Sequence, residues 1–230
     1  TLVANAVSTK MGKYELVDSG KNLVLSITGD GEKTQEILDN EKSLTETLAA
    51  SVALLNSGAD FATEQALGEA KAAAREGVKE GAREMMPFAA FGGSSMKYKS
   101  GSHIDAKGWN AAVGFAKEQG ELTYGIAVEH GQADFDSYVN AAHGEGKNKY
   151  TGGVIFAELK KESGAHFDAS FRAGRAENDY SAKLSVMGIS TPTSYDISSS
   201  YLGFSLGGGK EMKVSETGKL DLYGRYYFNH

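Results

Sequence analysis

The chain has 230 residues, 40% of them hydrophobic and 10% aromatic, a composition that supports a folded core and excludes a disordered chain. Its formal charge is −6 and no dense basic block stands out, so nucleic-acid binding has no electrostatic support. The cysteine count is 0, which excludes disulfides, thiolate metal sites and cysteine nucleophiles. Residues 1–33 open with two short strand signals, Tyr14-Glu15-Leu16-Val17 and Leu23-Val24-Leu25-Ser26-Ile27, separated by the turn Asp18-Ser19-Gly20-Lys21-Asn22. Two strands alone are unstable in water, so they read as the end of a larger β structure.

Residues 34–86 lack proline and are rich in Ala, Glu, Lys and Leu, and read as helix. Ser43-Leu44-Thr45-Glu46 fits a capping box, in which hydroxyl and carboxylate satisfy free amides at a helix start. Asn56-Ser57-Gly58 reads as a break or kink. Beyond it, Ala66, Ala70, Ala73, Gly77 and Gly81 make a stripe of small residues. Lys71, Arg75, Lys79 and Arg83 make a basic stripe, and Glu76, Glu80 and Glu84 an acidic one. No face of this helix suits lipid. By itself the pattern fits a solvated linker helix laced with ion pairs.

Residues 87–230 change to period two. Trp109, Ala111, Val113 and Phe115 alternate with small or polar residues, as do Leu122, Tyr124, Ile126 and Val128. Phe167, Ala169, Phe171 and Ala173, and then Leu202, Phe204 and Leu206, repeat the pattern. Weaker signals lie at Phe88–Tyr98, Lys149–Leu159 and Leu220–Phe228, giving about seven strands. Glu118-Gln119-Gly120 and Ser163-Gly164 read as tight turns, whereas Gly131–Asn148 and Glu177–Ser200 read as long polar loops. No run of about 18 apolar residues occurs, so no transmembrane helix is expected. A mean hydropathy of −0.35 remains compatible with membrane-spanning strands, whose alternation dilutes their apolar residues. Alternation alone leaves a membrane barrel and a soluble sandwich both open.

Several segments, in this order, resemble the autotransporter family of type V secretion. Tyr14 to Leu25 resembles the last rungs of a secreted passenger β-helix, and Ala50-Ser51-Val52-Ala53-Leu54-Leu55-Asn56-Ser57-Gly58-Ala59-Asp60 resembles the helix before the barrel. Pro87-Phe88-Ala89-Ala90-Phe91-Gly92-Gly93-Ser94 looks like a first barrel strand, and Ser102 to Asn110 like the entry to a second. Leu220 to His230 looks like a strand from the middle of the barrel. The resemblance implies a mainly β chain: an antiparallel transmembrane β-barrel preceded by an α-helix occupying its lumen. It divides the chain into a passenger end at residues 1–33, a helical linker at 34–86 and a barrel portion at 87–230. Family barrels are larger than seven strands, so the resemblance also implies a barrel truncated at His230.

The implied function is an outer-membrane translocator that anchors and exports an N-terminal passenger, an adhesin or other surface factor, to the cell surface. Its implied partners are outer-membrane lipid, the barrel-assembly machinery and its own passenger. Ala66, Ala70, Lys71, Ala73, Arg75, Gly77, Lys79, Gly81 and Arg83 would then face the lumen wall, with Glu129, Asp168 and Arg172 as wall partners. A porin-like or structural barrel with a helical plug is the alternative, against which the strands at residues 14–27 argue. Some family members process themselves in the lumen; Asn40 and Asn56 are the candidate processing positions here. No catalytic constellation or cofactor motif appears: the five histidines lack metal-ligand spacing, and Gly207-Gly208-Gly209 lacks the Lys-Ser/Thr of a phosphate loop.

Overall fold

The computed structural model describes residues 7–9, 12–18, 23–28, 35–82, 84–99, 102–140, 142–186, 189–215 and 218–230. Strands β1 (Val7–Thr9), β2 (Gly12–Asp18) and β3 (Leu23–Thr28) form an antiparallel sheet in that order. The two expected strands pair with Tyr14 opposite Ile27 and Leu16 opposite Leu25, and β1 adds a third.

A helical rod follows. It comprises α1 (Gln35–Phe61), a π-helical turn at Ala62–Ala66 and α2 (Leu67–Lys79). At about 1.5 Å per residue its length is roughly 65 Å. Two local expectations fail. The capping box does not start a helix, because α1 begins upstream at Gln35. The Ser43 hydroxyl lies instead 2.5 Å from the Tyr180 hydroxyl on a distant strand, so a tertiary bond replaces the cap. Nor do Asn56-Ser57-Gly58 break the helix, which is irregular only at the π turn, where the Leu67 N–H reaches back to the Ala62 carbonyl. Gly81 ends the rod. It has φ +73°, and the Gly81 and Ala82 N–H groups donate to the Val78 and Gly77 carbonyls, the bonding of a Schellman motif.

Seven long strands then form one antiparallel sheet: β4 (Met86–Lys99), β5 (His103–Gln119), β6 (Leu122–Val139), β7 (Ala142–Lys160), β8 (Ala165–Val186), β9 (Ile189–Lys213) and β10 (Lys219–Asn229). They neighbour one another in chain order, with β4 and β10 at the edges. The sheet curls into a half-barrel whose concave face holds the helical rod. Strand β8 has 22 residues. At about 3.3 Å per residue and a tilt near 45° it rises roughly 50 Å, well beyond an apolar band of about 25 Å. The segments Gly131–Asn148 and Glu177–Ser200, expected as loops, belong almost entirely to β6 with β7 and β8 with β9. Their polar residues had suggested loops, but backbone pairing requires no apolar side chain, so the ladder continues past the apolar band.

The alternation sorts two faces. Outward, Phe115, Ile126, Ile155, Phe171, Phe204 and Phe228 stand directly opposite one another across six strands. Most of this row is exposed, Phe115 and Ile126 each at 53%. Val113 and Val128 form a parallel row beside it, opposite each other and also exposed. A sandwich would cover this face with a second sheet; among the described residues none does. So large a continuous exposed apolar surface is what lipid contact requires. Farther along the same strands the outward face becomes charged, with Lys97, Asp105, Asp136 and Glu145 in register. The inward face mixes small and polar residues with a few large apolar ones, such as Ile104, Phe135 and Phe156, which pack against the rod. Gly114 shows the need for small residues: a Cβ there would stand 2.1 Å from the Ile126 carbonyl oxygen on the next strand.

Candidate functional site: the helix docked on the concave wall

The rod is held at four levels, and each joins side chains distant in sequence. Near its N-terminus, Tyr195 donates to the Leu44 carbonyl at 2.5 Å, and its hydroxyl lies 2.9 Å from the Thr47 hydroxyl. Tyr180 stacks beside Tyr195 and meets Ser43. At the rim, Asn140 donates to Asp39 at 2.8 Å.

The second level is a buried ion pair. Arg172 Nε donates to both Glu129 oxygens, at 2.9 and 3.0 Å, and the two side chains are 2% and 0% exposed. Tyr201 donates to Glu129 at 2.7 Å, and Arg172 Nη1 donates to the Leu55 carbonyl at 3.2 Å. The guanidinium carbon lies 5.5 Å from the Tyr150 and Tyr201 ring centres. Tyr150 donates to Asn110, which donates to Ser57 on the rod. Buried charges need this density of partners, because desolvation would otherwise exceed their attraction. Gly58 lets the rod come this close. A Cβ there would lie 2.4 Å from the Tyr150 hydroxyl and 2.7 Å from Arg172 Nη2. Gly58→Val is therefore expected to cost about 1–3 kcal/mol by overpacking, and denaturant unfolding in detergent micelles measures it. The residue read in the sequence as a helix breaker is thus a close-approach glycine.

The third level faces the π turn. Asp168 pairs with Arg225 at 3.1 Å and accepts a short hydrogen bond from Tyr223. Arg225 Nη2 donates to the Thr63 carbonyl at 3.3 Å, and Tyr227 and Thr63 share a hydroxyl contact at 3.0 Å. Asp168 therefore belongs to a different cluster from Glu129 and Arg172, although Asp168 and Arg172 lie on one face of β8.

The fourth level is α2. Ala66, Ala70, Ala74 and Gly77 are buried against the wall and Ala73 packs at their margin, so Ala74 joins the small stripe. Gly81 lies past the helix end. Lys71 reaches Glu158 at 2.6 Å and Arg75 reaches Glu118 at 3.5 Å. Lys79 instead pairs along its own helix with Glu76 at 2.7 Å, and Arg83 lies outside the described residues. Removing Lys71 leaves Glu158, whose side chain is 6% exposed, without its cation. Lys71→Met is expected to cost about 1–3 kcal/mol in the same unfolding measurement. The candidate processing positions sit apart from each other. Asn40 is half-buried near the rim, whereas Asn56 is exposed and accepts from Asn229 at 2.8 Å.

The sequence reading did not identify Tyr150, Tyr180, Tyr195, Tyr201, Tyr223, Tyr227 or Arg225 as wall residues. Inward parity is the available signal for Tyr201, Tyr223, Arg225 and Tyr227, whose outward neighbours are small or apolar, whereas Tyr150, Tyr180 and Tyr195 stand between polar or charged neighbours that hide it. Among the described residues no group of three or more His, Asp or Glu could hold a metal ion.

Residues 87–229 match the Autotransporter beta-domain family. No curated protein matches the chain at a significant level. The matched segment contains every strand of the half-barrel, and its outward apolar face and inward polar face are those of an outer-membrane barrel. The chain belongs to the autotransporter family, with an outer-membrane translocator β-domain at residues 87–229.

Proposed function

We propose that this translocator exports the segment N-terminal to its helix, and that the rod is the trailing part of that segment left in the lumen. The observation that carries this is the direction of the rod. Its N-terminal end lies at the rim formed by the β6–β7 tip, where Asn140 meets Asp39. Its C-terminal end returns to β4 at the opposite rim, beside the short turns at Gly120 and Gly164. A chain threaded this way delivers whatever precedes Gln35 to the far side of the membrane. Strands β1 to β3 then form the end of a passenger, of adhesin or other surface type. The barrel-assembly machinery is the partner that inserts the β-domain, and outer-membrane lipid surrounds it. Ala66, Ala70, Lys71, Ala73, Arg75 and Gly77 act as the lumen-facing side of the rod, and Glu129, Asp168 and Arg172 as the wall that receives it. The test is an epitope placed ahead of Thr1. Antibody should reach it on intact cells when residues 35–230 are present. An epitope that stays periplasmic while the β-domain is inserted would refute export.

A further inference from the structure

Three wall side chains contact the rod in the same way. Tyr195 donates to the Leu44 carbonyl, Arg172 to the Leu55 carbonyl and Arg225 to the Thr63 carbonyl. Each recognises main chain, which every polypeptide has, rather than a particular side chain. They come from three different strands and meet the rod along most of the length of α1 and into the π turn. A mid-helix carbonyl already accepts one intrahelical bond, so these donors take its second lone pair. An extended chain offers carbonyls with both lone pairs free and would satisfy the same donors better.

The wall also holds donor capacity that the rod leaves unused. Arg172 Nη2 is buried without a hydrogen-bond partner and points at Gly58. Asn148, 1% exposed on the inward face of the neighbouring strand, has both its amide oxygen and nitrogen unpartnered. The docked helix leaves these groups without a partner of its own, so they are open to water or to a further main-chain carbonyl.

We propose that Tyr195, Arg172 and Arg225, with Asn148 between, form a track of main-chain carbonyl receptors for polypeptide passing through the lumen, whatever its sequence. The docked rod is the last occupant of that track. This rests on the export reading above and adds to it the chemistry by which the wall handles its cargo.

The test places two reporter segments of unrelated sequence, in turn, ahead of Thr1 in the full chain and follows their surface appearance by pulse-chase. Tyr195→Phe removes the donor to the Leu44 carbonyl, together with the contact to the Thr47 hydroxyl, and keeps the ring. A paired Glu129→Leu, Arg172→Met variant removes another without stranding a charge. Each is expected to slow both reporters alike, about five-fold for the neutral bond of Tyr195 and more than that for the charge-assisted bond of Arg172. A photo-crosslinker at position 195 should form adducts with both reporters during transit. Unchanged export rates with no adducts would overturn the proposal while export itself stands, as would slowing confined to one reporter. If neither reporter reaches the surface with the wild-type sequence, the export reading itself fails.

Discussion

Glu129→Leu, with Arg172 left in place, is expected to lower the unfolding free energy by about 3–5 kcal/mol, the largest loss of any single wall substitution. The carboxylate accepts from Arg172 Nε and from Tyr201, and both members of the pair are almost wholly buried. Its removal strands a guanidinium that already has one uncommitted nitrogen, Nη2. Adding Arg172→Met should recover most of the loss, because an apolar pair of similar volume is often neutral or better than a buried ion pair. A double variant whose cost is the sum of two large single costs would contradict this account. It would mean that each residue stabilises the wall independently. Urea titration of detergent-refolded protein reads all three variants.

Ile126→Arg is expected to cost about 2–4 kcal/mol, the penalty for a cation near the middle of the lipid-facing band of a barrel. Ile126 belongs to the row from Phe115 to Phe228, between Phe115 and Ile155, and is exposed. Asp134→Arg, on the same outward face of β6, loses an exposed contact to Lys147 at 3.4 Å. That change should cost about 0–1 kcal/mol. Both side chains point outward from one strand, and the contrast follows mainly from their different depth. Equal costs at the two positions, measured in lipid vesicles, would mean that the row does not face lipid.

Much of this was legible in the sequence because the signals were local and repeated. Period-two alternation located four of the barrel strands and the direction of their apolar faces, at Phe115, Ile126, Phe171 and Leu206, and weaker strand signals marked the other three. The small residues of α2 and the inward parity of Glu129, Asp168 and Arg172 were visible for the same reason. What the sequence concealed was tertiary. Ser43 resembles a cap in isolation, and only the distant Tyr180 shows that its hydroxyl is used elsewhere. Gly58 resembles a breaker until Tyr150 and Arg172 are seen against it. The polar outer thirds of β6 to β9 resemble loops because strand propensity reports burial, and these stretches hold their pairing by backbone bonds in water. Arg225 and the inward tyrosines could be placed on a face but not assigned to the rod, since nothing local records which helix carbonyl lies opposite.

One face of the β-domain meets lipid while the other grips the helix. The 0 cysteines of the chain make a direct test simple. Single cysteines placed in turn at positions 124 to 128 of β6 would carry nitroxide labels, with the full chain in bilayers. Collision with dissolved oxygen, which concentrates in hydrocarbon, reports lipid contact. Strict alternation is expected, high at positions 124, 126 and 128 and low at 125 and 127. Uniform values along the strand, or the opposite phase, would contradict it.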